Sequence, residues 1–455
     1  MKNGILIAVA GKTDPIRGNH DGPILHIVRH YDPKKVYLIL SDEIGKLEEE
    51  YNYNKEAIHL LKPDCEVIYM MTGITDVHSY DDFSLPLLKI CNQIKEEHKG
   101  ERIYLDITSG TPQMETALCM IAISDPASYI PIQVDSPERS ANKTPFFNPQ
   151  NDLIEEWFET NLDNEEGTPI RCHVPGLMNF RRPIIQFQIL SLIENYDYAG
   201  AYQLYLDNKE NFSNEVGLLL EHAKKRLNLE NKEAMALATE LGLKNELYLN
   251  ARSNVAQLVD FYLSMKIKQF RGELNDLVLR VEIMNVYTAT YILEDCMKIS
   301  IESICDVRKL KHSVKHMLSQ EKCEKVLPGI SPYMDEYFSL MRMGRFEWGR
   351  DISALNLNAL ASYAGKKPEF QKYVAAINEM TDWVPLSTFV RNPAAHSIIA
   401  ITEKHFKEHY QGRSSEELCN RMRTVLIQIF GSEVKKESFD IYDKINRLIK
   451  GMLEE

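Results

Sequence analysis

The chain has no CxxC pair, no run near the ~20 apolar residues of a membrane span, no glycine-rich nucleotide fingerprint and no strongly basic tract. Each absence excludes something. The eight cysteines, at 65, 91, 119, 172, 296, 305, 323 and 419, are scattered as buried thiols in a reducing compartment are, so neither a disulfide framework nor a zinc site is expected. With no spanning segment, and with a first apolar run (residues 5–10) too short for a signal core, a cytoplasmic protein without membrane partners is expected. Lacking both G-x-G-x-x-G and G-x-x-x-x-G-K-[ST], the chain is a poor candidate for NAD binding or ATP hydrolysis. The net charge of −13 argues against a DNA-binding domain. That charge is uneven: residues 1–300 carry 30 Lys and Arg against 45 Asp and Glu, whereas residues 301–455 carry 23 against 21, which permits a small RNA contact there.

What is present suits a folded protein of two or three domains: 455 residues, 44% hydrophobic and 26% charged. Residues 1–135 alternate apolar runs with amphipathic stretches. The pattern predicts strands at 4–10, 35–41, 66–71, 102–108 and 127–134, and helices at 22–31, 42–62, 81–99 and 113–124. Near-continuous Ile, Val, Leu and Tyr in the strands predicts burial on both faces, hence a doubly wound, Rossmann-like α/β domain. Residues 136–180 are polar and turn-rich and read as a boundary or long connection. From residue 183 onward the spacing is helical almost throughout, with no convincing strand alternation. The expected divisions are 1–175, 176–310 and 311–455.

In open parallel sheets ligands bind beyond the carboxyl ends of the strands. After the first predicted strand comes Gly11-Lys12-Thr13-Asp14-Pro15, and after the fourth comes Asp106-Ile107-Thr108-Ser109-Gly110-Thr111-Pro112-Gln113-Met114. The second offers three hydroxyls, a glycine that admits close backbone approach, and a proline able to open a helix whose amino end faces the ligand, a set suited to phosphate or sugar. The same residues also make an ordinary strand-to-helix turn.

Near the other end, Arg391-Asn392-Pro393-Ala394-Ala395-His396 places an arginine five positions before a histidine. Two readings stand. Asn392 could cap a helix that Pro393 opens, setting Arg391 and His396 beside unpaired backbone donors of the kind that hold phosphate. Alternatively the helix begins near Ser387, Pro393 kinks it and His396 is a packed helix residue; residue pattern alone favours this second reading. His312 and His316 are four apart on an expected helix, but no third ligand is evident and a metal is not expected. With Arg308, Lys309, Lys311 and Lys315 they form a basic run that reads as a solvated face, or as a guide for RNA. Asp81-Asp82 reads as a helix start.

With both halves in view, the chain resembles the CRISPR-associated ancillary ribonucleases of type III-A systems, Csm-type proteins with an N-terminal CARF domain and a C-terminal HEPN domain. The resemblance rests on Gly11 to Pro15 followed by Asp21-Gly22-Pro23-Ile24-Leu25-His26-Ile27, on the loop 106–114, and on Arg391 to His396. It implies a sensor for cyclic oligoadenylates joined to a metal-independent nuclease for single-stranded RNA, without a cofactor, acting as a homodimer alongside a type III CRISPR effector complex. It implies Arg391, His396 and Asn392 as the catalytic set. It implies ligand contacts at Lys12, Thr13, Asp14, Ser41, Asp76, Thr108, Ser109, Gly110, Thr111 and Gln113, with Thr111 and then Asp76 as candidates for cleaving the activator. The rival reading is a non-catalytic, ligand-sensing regulator whose helical half binds a protein partner.

Overall fold

The computed structural model describes residues 3–137, 147–249, 251–309, 314–341 and 343–454. They form two compact units, Met1–Ile184 and Ile185–Glu455. The first unit runs β1 (Ile5–Val9), a small ribbon of β2 (Ile16–Arg17) and β3 (His20–Asp21), α1 (Pro23–Tyr31), β4 (Lys35–Leu40), α2 (Asp42–Tyr51), α3 (Tyr53–Leu61), β5 (Glu66–Met71), α4 (Tyr80–Glu97), β6 (Ile103–Asp106), α5 (Pro112–Ser124), β7 (Tyr129–Val134), α6 (Ile154–Glu159) and β8 (Cys172–His173). The sheet order is β5-β4-β1-β6-β7-β8, parallel except for the last pair.

Every β1 side chain is fully buried. Leu6 and Ala8 enter one core with Leu25 and Ile58, while Ile5, Ile7 and Val9 enter the other with Phe83 and Leu118. Burying each of the larger ones contributes roughly 1.5–3 kcal/mol, which is why β1 lies centrally. The predicted strands and helices are found here within a few residues. One predicted helix, 42–62, is two, because Asn52 takes a left-handed conformation (φ 53°, ψ 28°) between α2 and α3. Asparagine tolerates that turn, and Tyr69 Oη holds it by donating to Asn52 Oδ1 at 2.7 Å. As expected, Asp81 and Asp82 lie in the first turn of α4, where Ser79 Oγ accepts from the Asp82 amide.

The second unit is built on helices around one continuous core that includes Ile185, Leu219, Met284, Leu360 and Leu453. Its last helix, Ile441–Glu454, is tied to the chain near 193–198: Tyr196 Oη donates to Asp443 at 2.6 Å, Tyr198 Oη to Asn446 at 2.8 Å, and Asn446 Nδ2 to the Ile193 carbonyl at 2.8 Å. Within the helical half, residues Cys305–Lys309 and Val314–Leu318 form an antiparallel ribbon. His316 therefore sits on a strand rather than the expected helix, and His312 lies outside the described residues. Periodicity gave no warning, because a ribbon exposed on both faces has no apolar alternation to read. No helix among the described residues is long and apolar enough to cross a membrane.

Deep in this unit Arg226 and Asp260 are both nearly inaccessible, and Nη2 lies 2.7 Å from Oδ1. Breaking such a pair strands a buried charge, whereas replacing both partners with apolar groups removes the desolvation cost as well. Arg226→Met should lower unfolding stability by about 3–5 kcal/mol in urea titrations, and adding Asp260→Leu should restore most of it. A double variant less stable than the single by the full cost of Asp260→Leu alone would show that the two charges act independently.

Candidate functional site

The chain reverses direction across the sheet between β1 and β6, whose following connections lead to opposite sides, so the crevice for a ligand lies at their carboxyl ends. Those ends are the loops at 11–15 and 106–113. The first is organised by one buried carboxylate: Asp14 Oδ2 accepts from the Gly11 amide and Oδ1 from the Ile24 amide, each at 3.1 Å. In the second, Asp106 Oδ1 accepts from the Thr108 amide at 2.9 Å, and Asp106 Oδ2 has no partner among the described residues. The loops touch closely. A Cβ on Gly11 would meet the Gly110 nitrogen at 2.8 Å, and Gly110 itself has φ +104°, open in practice only to glycine.

Thr111 caps α5 by accepting from the Met114 amide, Pro112 opens that helix, and Thr111 Oγ1 donates to the Val77 carbonyl at 2.8 Å. That last bond brings the loop after β5, which carries Asp76, against the loop after β6. The same loop reaches the Ser41 end of α2 through the Asp42 amide and the Ile74 carbonyl, 2.9 Å apart. Thr108 Oγ1 accepts from the Val134 amide at 2.9 Å.

The ten candidate ligand residues therefore divide by burial. Asp14, Ser41 and Ser109 are buried and frame the loops. Lys12 and Asp76 are exposed, while Thr13, Thr108, Gly110, Thr111 and Gln113 are partly accessible. Gln113 Oε1 has no partner among the described residues. A cavity of about 770 Å³ opens beside Lys12, between α2 and residues 147–150, lined by Asp42, Glu43, Lys46, Tyr53 and Phe147 among others. Sequence reading passed over Lys46, Tyr53 and Phe147. The aromatic at 147 inside a polar connection was the available signal.

A second cluster was also missed. Asp21, His26 and Asp163 bring their ligand atoms within 4.8 Å of one another. Two arginines already balance the two carboxylates: Arg29 Nε lies 2.6 Å from Asp21 and Arg171 Nη2 lies 2.8 Å from Asp163. The Arg171 amide donates to His26 Nε2 at 3.0 Å, which leaves Nδ1 to face Asp21 Oδ2 at 3.4 Å. Burial opposes ionisation of Asp21, but hydrogen bonds from His26 and Arg29 and the Arg29 charge hold it down at about 2. This ion-pair network fastens residues 161–171 to β3 and α1.

In the second unit, Arg391 closes a π-helical turn, Leu386–Arg391, and Asn392–His396 continues as α-helix. Single π turns recur at functional sites. Arg391 and Asn392 both have helical dihedrals, so the helix does not begin at Asn392. The earlier-start reading holds for the backbone. Its other half does not, because His396 is exposed on the last turn before Ser397 rather than packed. The donor-rich helix end proposed beside the pair is consequently absent, and His396 stands at the carboxyl end. Asn392 Oδ1 instead accepts from Arg391 Nη1 at 2.9 Å, and Arg391 Nε is buried with no partner among the described residues.

One helix, Leu274–Tyr291, clips the segments on both sides of the pair. Asn285 Nδ2 donates to the Met380 carbonyl at 2.8 Å. Asn275 donates to the Ile399 carbonyl at 2.8 Å and accepts from the Ile401 amide at 2.9 Å. Around the pair, Phe389 is 59% exposed and Ile398 wholly so.

A sheet domain with a loop crevice, followed by helices presenting an Arg and a His five positions apart, defines a CARF–HEPN protein. Sequence models of the Cas_Csm6 CARF domain, the Csm6 6H domain and the Cas_Csm6 HEPN domain match residues 64–172, 175–227 and 247–450. The chain belongs to the Csm6 family of CRISPR endoribonucleases. It is 27% identical over 458 residues to the CRISPR system endoribonuclease Csm6 of Enterococcus italicus, covering 99% of this chain and all of that one. It is 31% identical over 228 residues to the Mycobacterium tuberculosis protein of the same name, covering 50% of this chain and 54% of that one. The solved structure of Enterococcus italicus Csm6 bound to cyclic hexa-2'-fluoro-hexa-dAMP shares the fold, with a TM-score of 0.68, 22% identity and 99% of each chain covered.

Burial, and then the Asp106 charge, push the Asp14 carboxyl up to about 7, against the pull of the Ile24 and Gly11 amides. Burial pushes Asp106 up to about 6. Raised carboxylates contribute stability that is complete below the ordinary carboxylate range and is lost as pH rises through 6 to 7. Asp106→Asn removes the titrating charge beneath the loops. It should flatten the fall in melting temperature between about pH 4 and pH 7, a difference on the order of 2–3 kcal/mol. A variant whose pH dependence matches the parent would remove Asp106 as the cause.

Proposed function

We propose that this chain is an endoribonuclease for single-stranded RNA, activated by a cyclic oligoadenylate and acting as a homodimer alongside a type III CRISPR effector complex. We divide it into a sensor (1–175), a helical connection (176–310) and a nuclease part (311–455). The observation that carries the reading is the placement of Arg391 and His396. Five positions on a helix with 3.6 residues per turn set two side chains roughly 140° apart, so one helix does not aim both at a single phosphate. A second copy, meeting the first across the exposed apolar residues Phe389 and Ile398, supplies the missing half.

The chemistry needs little more. The 2′-oxygen of the RNA bonds to phosphorus, the bond from phosphorus to the 5′-oxygen breaks, and a 2′,3′-cyclic phosphate and a 5′-hydroxyl result. His396 takes the 2′ proton or delivers one to the 5′-oxygen, a role worth ~10²- to 10⁴-fold. Arg391 meets the phosphate oxygens as their charge grows. Asn392 holds the guanidinium by accepting from Nη1. The nucleophile belongs to the substrate, so the mechanism calls on no metal and no cofactor.

In the sensor, Lys12 offers a cation, and Thr13, Thr108, Gly110, Thr111 and Gln113 offer polar groups along the crevice, while Asp14, Ser41 and Ser109 fix the loops. Related Csm6 was solved with a cyclic hexanucleotide, which supports this class of activator. An even-membered ring can share the two-fold axis of a dimer, so one ligand braces both copies. Thr111 and Asp76, brought together by the bond from Thr111 to Val77, are the groups proposed to cleave the activator and limit the response.

Labelled RNA, the purified chain, EDTA and cyclic tetra- or hexa-adenylate test the reading. Cleavage with one ring and none without it is expected, and His396→Ala or Arg391→Ala should reduce the rate ~10²- to 10⁴-fold. No cleavage with any ring would favour the regulator whose helical half binds a protein. Thr111→Ala loses a helix cap worth about 1 kcal/mol, so the fold should survive while activation or activator turnover weakens. An unchanged activator response would remove that loop from the sensor site.

A further inference from the structure

The ribbon Cys305–Lys309 and Val314–Leu318 stands off the body of the second unit. Only its base is buried, at Cys305 and Leu318, while Asp306, Val307, Arg308, Lys309, Val314 and Lys315 are exposed. The base is anchored by residues 349–352: the Leu318 amide donates to the Arg350 carbonyl at 3.0 Å, and the Ile352 amide to the His316 carbonyl at 3.0 Å. Two strands with water on both faces are barely stable alone, so a ribbon kept in this form is a poor investment for folding.

Its pairing sharpens the point. Lys315 lies directly opposite Arg308. Like charges in that position destabilise a ribbon unless an anion lies between or over them. Lys315 is offset by Asp351 at 2.7 Å and Asp306 by Lys322 at 3.0 Å. Arg308 and Lys309 have no ion pair among the described residues. The alternation of a strand puts Arg308 and Lys315 on one face, and Lys309 with Val307, Val314 and half-exposed His316 on the other. A cationic edge against a patch of two valines and an imidazole suits a sugar-phosphate backbone with unstacked bases lying beside it.

We infer that this ribbon is an RNA-docking arm that holds single-stranded substrate by its phosphates outside the catalytic pair. The inference rests on the nuclease reading for its ligand but on different residues. Arg308, Lys309 and Lys315 raise the affinity for long RNA and leave the chemical step alone. Since the whole chain carries a net charge of −13, the arm is also a local reversal of a field that repels RNA.

The test is anisotropy of a labelled 20-nucleotide RNA on the full chain carrying His396→Ala, with and without Arg308→Ala, Lys309→Ala and Lys315→Ala, between about 50 and 200 mM salt. The triple change should weaken binding about tenfold at the low-salt end and reduce the slope of log affinity on log salt by about 2, at ~0.7 per phosphate contact. Melting temperature and binding of cyclic adenylates should not move. In the chain with His396 intact, KM for the long RNA should rise with kcat unchanged. Equal affinity and slope in the two proteins overturn the arm. Labelled polyglutamate that binds as tightly, and with the same dependence on the three cations, overturns RNA in favour of an acidic protein. RNA binding that needs the ribbon in a chain showing no activated cleavage keeps the arm and removes the nuclease.

Discussion

Two carboxylates buried at the carboxyl ends of neighbouring strands constrain everything the sensor does. Asp14 spends both oxygens on backbone amides, Gly11 and Ile24, and so fixes the first loop against the start of α1. Asp106 shapes the second loop and lies close enough to Asp14 to raise its pKa further. Both are buried beneath the loops they shape. They set where the facing groups stand, and their own burial makes the frame costliest to hold when both are ionised. The two loops are thus built over a site where burying charge opposes folding, a recurrent compromise where preorganised loops are needed.

The same frame ties three separate stretches of sequence together. The bond from Thr111 to Val77 joins the loops after β6 and β5, and the Asp42 amide joins the latter to the start of α2. The helical unit shows a parallel economy, in which one helix uses Asn275 and Asn285 to clip the chain on both sides of the Arg391–His396 turn. A small shift of that helix would carry the Arg391–His396 turn with it.

The sheet was legible because burial on both faces leaves continuous apolar strands such as residues 5–9, and the order of loops then pointed to the crevice. Asp14 was expected among the ligand contacts, and nothing in a sequence shows in addition that its carboxylate accepts from two backbone amides. The network of Asp21, His26, Asp163 and Arg171 spans about 150 positions, too far for any local pattern to reveal. Although the residue pattern as a whole favoured an earlier start near Ser387, a favoured cap followed by proline left a helix start open at Asn392. The preceding turn overrode it, because a π-helical turn ending at Arg391 carries the chain into Asn392 with helical dihedrals already in place.

That override changes the chemistry assigned to the pair. A helix beginning at Asn392 would have offered backbone donors to phosphate, and Arg391 would have been one donor among several. With His396 at the carboxyl end instead, the turn contributes no amides, and the positive charge at the phosphorus has to come from side chains. A single Arg391, turned away from its own histidine and hydrogen-bonded to Asn392, is a thin supply. In the proposed dimer a second copy would double it. The proposed dimer therefore draws its support from the direction of the helix as much as from the exposed isoleucine and phenylalanine beside it.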